Sequence, residues 1–189
     1  MKIITIIYFS GTGNTKLAAE AVLQGCQTVD GVSVQLLEIV GADIIEGRWV
    51  NEDIATALDS SDAIIFGTPT YMGSVAGQMK TFMDAMAPRW YTSAWKDKIA
   101  AGFSVSSLAA GDKLNALQTI LVFSMQMGMI WVGTGGNFSQ GVNVHGFYLG
   151  AGLQSKTGQQ EEVFSEPDIN TAEFLGKRVA EVLTRSAAF

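Results

Sequence analysis

Residues 2–9, Lys-Ile-Ile-Thr-Ile-Ile-Tyr-Phe, are apolar almost without alternation. A strand covered on one face alternates apolar and polar side chains. One without alternation is buried on both faces, as in parallel sheets whose crossovers lay helices on either side. The run breaks at Ser10, Gly11, Thr12, Gly13, Asn14 and Thr15, and then Leu17, Ala18, Ala21, Val22 and Leu23 recur at helical spacing as far as Gln27. Buried strand, glycine–hydroxyl turn and helix together make a phosphate cradle. The glycines let the backbone approach an anion, and the first helical amides face it with the positive end of the helix dipole. The hydroxyls of Ser10, Thr12 and Thr15 and the amide of Asn14 supply further donors. The turn lacks the lysine of a triphosphate loop and the third glycine of the dinucleotide fingerprint. A phosphate monoester, its charge met by dipoles, suits it best.

The rest of the chain repeats the strand–helix alternation. Asp30-Gly31 marks a turn before a second strand at 32–39, and Asn51 caps a helix reaching Leu58 with Glu52 and Asp53 in its first turn. A third strand at 63–67 leads into a turn at 68–73 pinned by Pro69 and Gly73, and a helix is expected from Val75 to Met86. After an aromatic loop at 89–95, a fourth strand at 98–103 runs into a polar turn at 104–111. Asp112 is expected to cap a helix to Met127, and a fifth strand follows at 129–132. Residues 133–168 are rich in glycine and polar groups with no period, a length that points to function, local structure or an interface. Pro167 and Asp168 open a last helix. With no internal repeat or linker, the expectation is one domain over 1–189.

Five strands alternating with helices predict an α/β fold, a doubly wound parallel sheet of order 2-1-3-4-5. In that order the polar turns after strands one, three and four converge on one edge, where ligands of such sheets bind.

Composition narrows the chemistry. The formal net charge of −6 argues against nucleic acid and anionic membranes as partners. A single cysteine, Cys26, excludes an internal disulfide, and a single histidine, His145, leaves little scope for zinc or a histidine triad. No metal ligand and no catalytic side chain is singled out. No targeting peptide or apolar run of membrane-spanning length is visible, so a cytoplasmic location is expected. Cys26 reads as a small buried helix residue, Asp62 as structural at the end opposite the ligand edge, and Trp49 as packing. His145 reads as a solvated or locally bonded loop residue, and Met125, Met127 and Met129 as gap-filling core.

The turn Ser-Gly-Thr-Gly-Asn-Thr after the first strand resembles the flavin mononucleotide (FMN) phosphate loop of flavodoxins and their relatives. Further along, Ala-Ile-Ile-Phe-Gly-Thr-Pro-Thr at 63–70, Gly73, and Gly-Gln-Met-Lys-Thr-Phe-Met-Asp at 77–84 are similar to the WrbA-type NAD(P)H:quinone oxidoreductases. The similarity extends through Trp90, Lys98, Phe103-Ser104 and Gly128-Met129. It implies a flavodoxin-like fold, FMN as cofactor, NAD(P)H as co-substrate and a quinone-type acceptor reduced in a ping-pong cycle. By the same resemblance Ser10, Gly11, Thr12, Gly13, Asn14 and Thr15 hold the phosphate. Pro69, Thr70, Tyr71, Met72 and Gly73 line the isoalloxazine, and Ser104, Val105, Ser106, Ser107, Leu108 and Gly111 hold its other edge and the ribityl chain. Thr12 falls where the family contacts nicotinamide, and Trp90 where it contacts the quinone or nicotinamide ring. A dimer or tetramer is implied, with Val122, Phe123, Met127 and Trp131 as candidate interface residues. The chain departs from the family in a third turn poorer in glycine and threonine, and in Gln126 or Met127 where the family has histidine. The alternative class is a flavodoxin-type electron carrier that binds FMN and docks on redox proteins without using NAD(P)H.

Overall fold

Ile4, Ile6 and Ile7 are all fully buried in one strand, so both of its faces must be covered. The computed structural model, which describes residues 1–156 and 163–186, supplies the two layers. Strand β1 (Lys2–Phe9) leads to helix α1 (Asn14–Gln27) and strand β2 (Val32–Ile39). A small hairpin, β3 (Ile44–Ile45) and β4 (Arg48–Trp49), precedes α2 (Glu52–Asp59). Then come β5 (Ala63–Tyr71), β6 (Ser74–Val75), α3 (Gly77–Ala85) and α4 (Ala87–Tyr91). β7 (Ile99–Ser106), α5 (Lys113–Gln126), β8 (Ile130–Trp131), β9 (Ala151–Gln154) and α6 (Glu166–Ser186) complete the order.

The main sheet runs β2-β1-β5-β7-β8, every neighbouring pair parallel, which is the expected order 2-1-3-4-5. Ile4, Ile6, Ile65, Ala101 and Phe103 pack with Val22 of α1 and Leu175 and Val179 of α6. Ile7, Ile64, Phe66 and Ala100 pack with Met79 and Phe82 of α3, Trp95, and Ile120 of α5. Neighbouring side chains on a strand thus point into opposite cores, which explains the missing alternation.

Three boundaries differ from expectation. β5 continues past Gly67 to Tyr71 and folds back on β6, pairing Thr70 with Val75 and Tyr71 with Ser74. The two residues between, Met72 (φ 47°) and Gly73 (φ 81°), both have positive φ, as a type I′ hairpin turn demands. Only the glycine signalled this turn, and the hairpin delays α3 to Gly77. The first half of the aromatic loop is helical as α4, opened by Pro88. The fifth strand is split: β8 pairs with the start of β7, and β9 pairs with its end through Phe103↔Ala151 to Ser106↔Gln154. Residues 132–150 are therefore inserted within one strand position. Trp131 seals the break, its indole Nε1 donating to the Leu149 carbonyl at 2.8 Å. Of the long 133–168 segment, residues 157–162 lie outside the described residues.

The edge opposite the three turns is structural. Asp62 accepts from Lys2 Nζ and the Ile3 amide, each at 2.8 Å. Burial pushes its carboxyl up, but these bonds and the nearby Lys98 outweigh it and hold it below the usual range. Lys98 Nζ donates to the carbonyls of Leu58, Asp59 and Ser61, satisfying the end of α2. Trp49 is buried edge-on against Phe82, and the Cys26 thiol, fully buried, is pushed up to about 12 by that burial. Met127 and Met129 are buried as expected, whereas Met125 is half exposed.

Candidate functional site

The first turn is organised by Ser10. Its Oγ accepts from the amides of Gly13 (3.1 Å) and Lys16 (3.2 Å), so it caps α1 from four residues away while Gly13 takes a left-handed conformation (φ 91°). The amides of Thr12, Asn14 and Thr15 have no protein acceptor among the described residues. The Thr15 hydroxyl has no protein partner among the described residues either, although it is not a buried orphan. A group of donors with no acceptor, at the positive end of a 14-residue helix, is chemically a seat for an anion.

The second turn reaches across to the first. A side chain built on Gly11 would meet the Tyr71 hydroxyl at 2.2 Å, so the phenol lies directly on the Gly11 backbone. The Tyr71 ring meets Phe9 edge-on at 6.5 Å and is nearly half exposed. Met72, at the hairpin tip, is fully exposed, and the Gly73 carbonyl accepts from Asn115 Nδ2 of α5 at 2.7 Å. Pro69 pairs with Val105 inside the sheet. Thr70 and Ser104 share a hydroxyl–hydroxyl bond of 2.8 Å, and Ser104 also donates to the Thr68 carbonyl.

Ser104 and Val105 are therefore strand residues. Both are buried, and the Val105 side chain belongs to the core beneath α6, so only their backbones face the edge. The turn proper is 106–111, with Leu108 exposed at its tip. All its carbonyls from 106 to 110 accept protein donors. Ser106 takes the Ser155 amide, Ser107 takes Gln154 Nε2, Leu108 and Ala109 take Lys113 Nζ, and Ala110 takes the Lys113 amide. The amides of 107–111, by contrast, have no protein acceptor among the described residues.

Lys113 is a buried charge at this turn that the sequence reading did not single out. It is fully buried at the start of α5, bonded also to Ser106 Oγ (2.9 Å), and stands 5.3 Å from the centre of the Phe147 ring, a cation–π distance. Burial pushes its ammonium down to about 8, with Asp168 opposing. A signal did exist: a lysine in the first turn of a helix sits against the dipole and calls for a local reason. Asp112, the expected cap, takes a left-handed backbone (φ 52°) and its side chain makes no capping bond.

His145 is neither solvated nor locally bonded. Its Nε2 lies 3.0 Å from Oδ1 of Asp168, 23 residues away, and the same carboxylate accepts from Ser165 and the Gln154 amide. This ties the inserted segment to the start of α6 and, through Gln154, to the third turn. Trp90 is about half exposed on α4 and lines a groove of about 460 Å³ on the flank with Met83, Met86, Val122, Phe123 and Met127. That groove shares no residue with the three turns; Asn115, which lines it, holds the hairpin tip.

Residues 1–142 match the family model of the NADPH-dependent FMN reductases. The chain belongs to that family. It is similar over nearly its whole length to a flavodoxin, FldP, of Pseudomonas aeruginosa (35% identity, 94% of each chain covered). It is also 31% identical to an NAD(P)H dehydrogenase (quinone) of Geobacter sulfurreducens, covering 96% of this chain and 98% of the relative. Among solved structures, a WrbA-like flavodoxin from Agrobacterium tumefaciens superposes with a TM-score of 0.78 at 36% identity, covering 98% and 99% of the two chains. The fold is flavodoxin-like, and this FMN reductase relative is an oxidoreductase with FMN as cofactor and NAD(P)H as reductant. Its residues fit FMN. The donor-only seat at α1 suits a phosphate monoester, and the five free amides of 107–111 suit the carbonyl-rich edge of a flavin ring. Among the described residues no helix is long and apolar enough to cross a membrane, and no cluster of side chains could hold a metal ion.

Proposed function

We propose that this chain passes two electrons from NAD(P)H to a quinone-type acceptor in a ping-pong cycle. The net reaction is NAD(P)H + H⁺ + quinone → NAD(P)⁺ + quinol. The observation that carries the reading is the presence of two groups of amides without a protein acceptor among the described residues, those of Thr12, Asn14 and Thr15 and those of 107–111, with Tyr71 lying on the first turn at Gly11. Bound FMN supplies the two-electron store that lets the reductant leave before the acceptor arrives. Ser10 fixes the turn, while Gly11, Thr12, Gly13, Asn14 and Thr15 hold the phosphate. Pro69, Thr70, Tyr71, Met72 and Gly73 flank the ring on one side. The backbones of Ser104 and Val105 and the turn of Ser106, Ser107, Leu108 and Gly111 flank it on the other. Thr12 is the nicotinamide contact at the mouth of the cradle. The acceptor is a quinone because several relatives of nearly equal length carry that substrate in their names.

Trp90 lines the flank groove rather than the edge, so its contact with quinone or nicotinamide is made across an interface between copies. We therefore read the assembly as a dimer or tetramer joined through the apolar groove of Val122 and Phe123. The whole chain acts as one FMN-binding domain in the cytoplasm. Sedimentation of the Val122→Asp variant tests the assembly: a shift to monomer is expected, and an unchanged oligomer would exclude this groove.

Anaerobic stopped-flow mixing of the FMN-loaded protein with NADH or NADPH tests the chemistry. Rapid loss of the visible flavin band, restored by a quinone, is expected. The similarity to FldP supports a second reading, an electron carrier that docks on redox proteins. Tight FMN binding with no reduction by either nicotinamide would favour that carrier.

A further inference from the structure

Lys113 is a fully buried lysine beneath a turn whose carbonyls from 106 to 110 all accept protein donors. Its Nζ bonds Ser106 Oγ and the carbonyls of Leu108 and Ala109 at 2.8–2.9 Å. The inserted segment roofs it with Phe147, and Phe147 in turn lies so close over Gly152 that a side chain there would meet the ring at 2.2 Å. Three residues of different elements thus combine to hold the Lys113 ammonium in place: Ser106, Phe147 and, through its field, Asp168.

We propose that Lys113 is a positioning residue for the flavin's redox chemistry. It draws the turn's carbonyls inward so that the 107–111 amides meet the ring edge, and its fixed positive charge favours the reduced cofactor over the oxidised one. The physical basis is that two-electron reduction places negative charge on the pyrimidine edge of the ring. A buried cation and a row of amide dipoles behind that edge stabilise this charge more than they stabilise the neutral oxidised ring. A lysine that merely stapled the loop would act on both redox forms alike. The inference rests on the FMN reading above.

The test compares wild type with Lys113→Met, which keeps the apolar stem and removes the charge, by measuring FMN affinity and the two-electron midpoint potential. The ratio of reduced to oxidised affinity is expected to fall about tenfold, a drop in potential of about 30 mV for a two-electron couple. Equal weakening of both forms, with the potential unmoved, would overturn the proposal and leave Lys113 a staple. A second measurement needs no variant. In ¹⁵N-labelled wild type, added FMN is expected to shift the amide resonances of 107–111 as well as those of 12–15. Shifts at 12–15 alone would overturn the proposal while leaving the cofactor reading intact. Failure of wild type to bind FMN would overturn both.

Discussion

The burial of Lys113 makes a prediction about the cofactor-free protein that can be worked through in numbers. In the unfolded chain its ammonium titrates near 10.5; in the folded protein burial lowers this to about 8. Between these values the unfolded state holds one more proton than the folded state, so stability rises with pH at up to about 1.4 kcal/mol per pH unit. The contribution is complete above 10.5 and is lost as pH falls through about 8. The whole span corresponds to about 3 kcal/mol. Urea unfolding of wild type and Lys113→Met from pH 6.5 to 10.5 isolates this group, because the tyrosines and other lysines cancel in the difference. The wild-type stability minus that of the variant should be flat below about pH 7 and then climb by about 3 kcal/mol. Equal urea slopes would certify that both proteins unfold the same surface. A difference that stayed level to pH 10.5 would refute the reasoning, because it would mean that the ammonium is solvated rather than enclosed by Ser106, Leu108, Ala109 and Phe147.

Other expectations are simpler. Ser10→Ala removes the acceptor of the Gly13 and Lys16 amides, costing about 1 kcal/mol of stability. It should weaken FMN more than riboflavin, and equal losses by fluorescence quenching would detach the turn from the phosphate. Asp59→Ala leaves the fully buried Trp95 without its 2.7 Å indole partner and frees Arg89 from one of its carboxylates. A loss of about 2 kcal/mol in urea unfolding is expected, and a loss under 0.5 would show the bond to be dispensable. His145→Ala removes the tie to Asp168 and should raise hydrogen exchange in the 143–148 backbone while exchange in β1 and β5 stays unchanged. Unchanged exchange at 143–148 would mean that the Asn143–Thr171 bond and the Phe147 packing hold the segment alone.

The layered sheet, its strand order and the three edge turns were legible in the chain because they rest on local pattern. Unbroken apolar runs demand cover on both faces, and turn residues mark where each run stops. The Ser10–Thr15 motif was legible for the same reason, its chemistry lying within six consecutive residues. Helix lengths were less so. The 68–73 turn is a hairpin whose Met72 adopts a positive φ that its residue type disfavours, and pairing with β6 overrides that preference.

What the sequence by itself determined, then, is the parallel sheet with helices on both faces and a glycine- and hydroxyl-rich turn between its first strand and first helix. Local periodicity and turn chemistry suffice for both. Only the tertiary structure decided that the fifth strand is split around an inserted segment, that His145 answers to Asp168, and that Lys113 sits beneath the third turn. Those depend on contacts between residues 4 to 48 positions apart, and no pattern within one element encodes the partner on another.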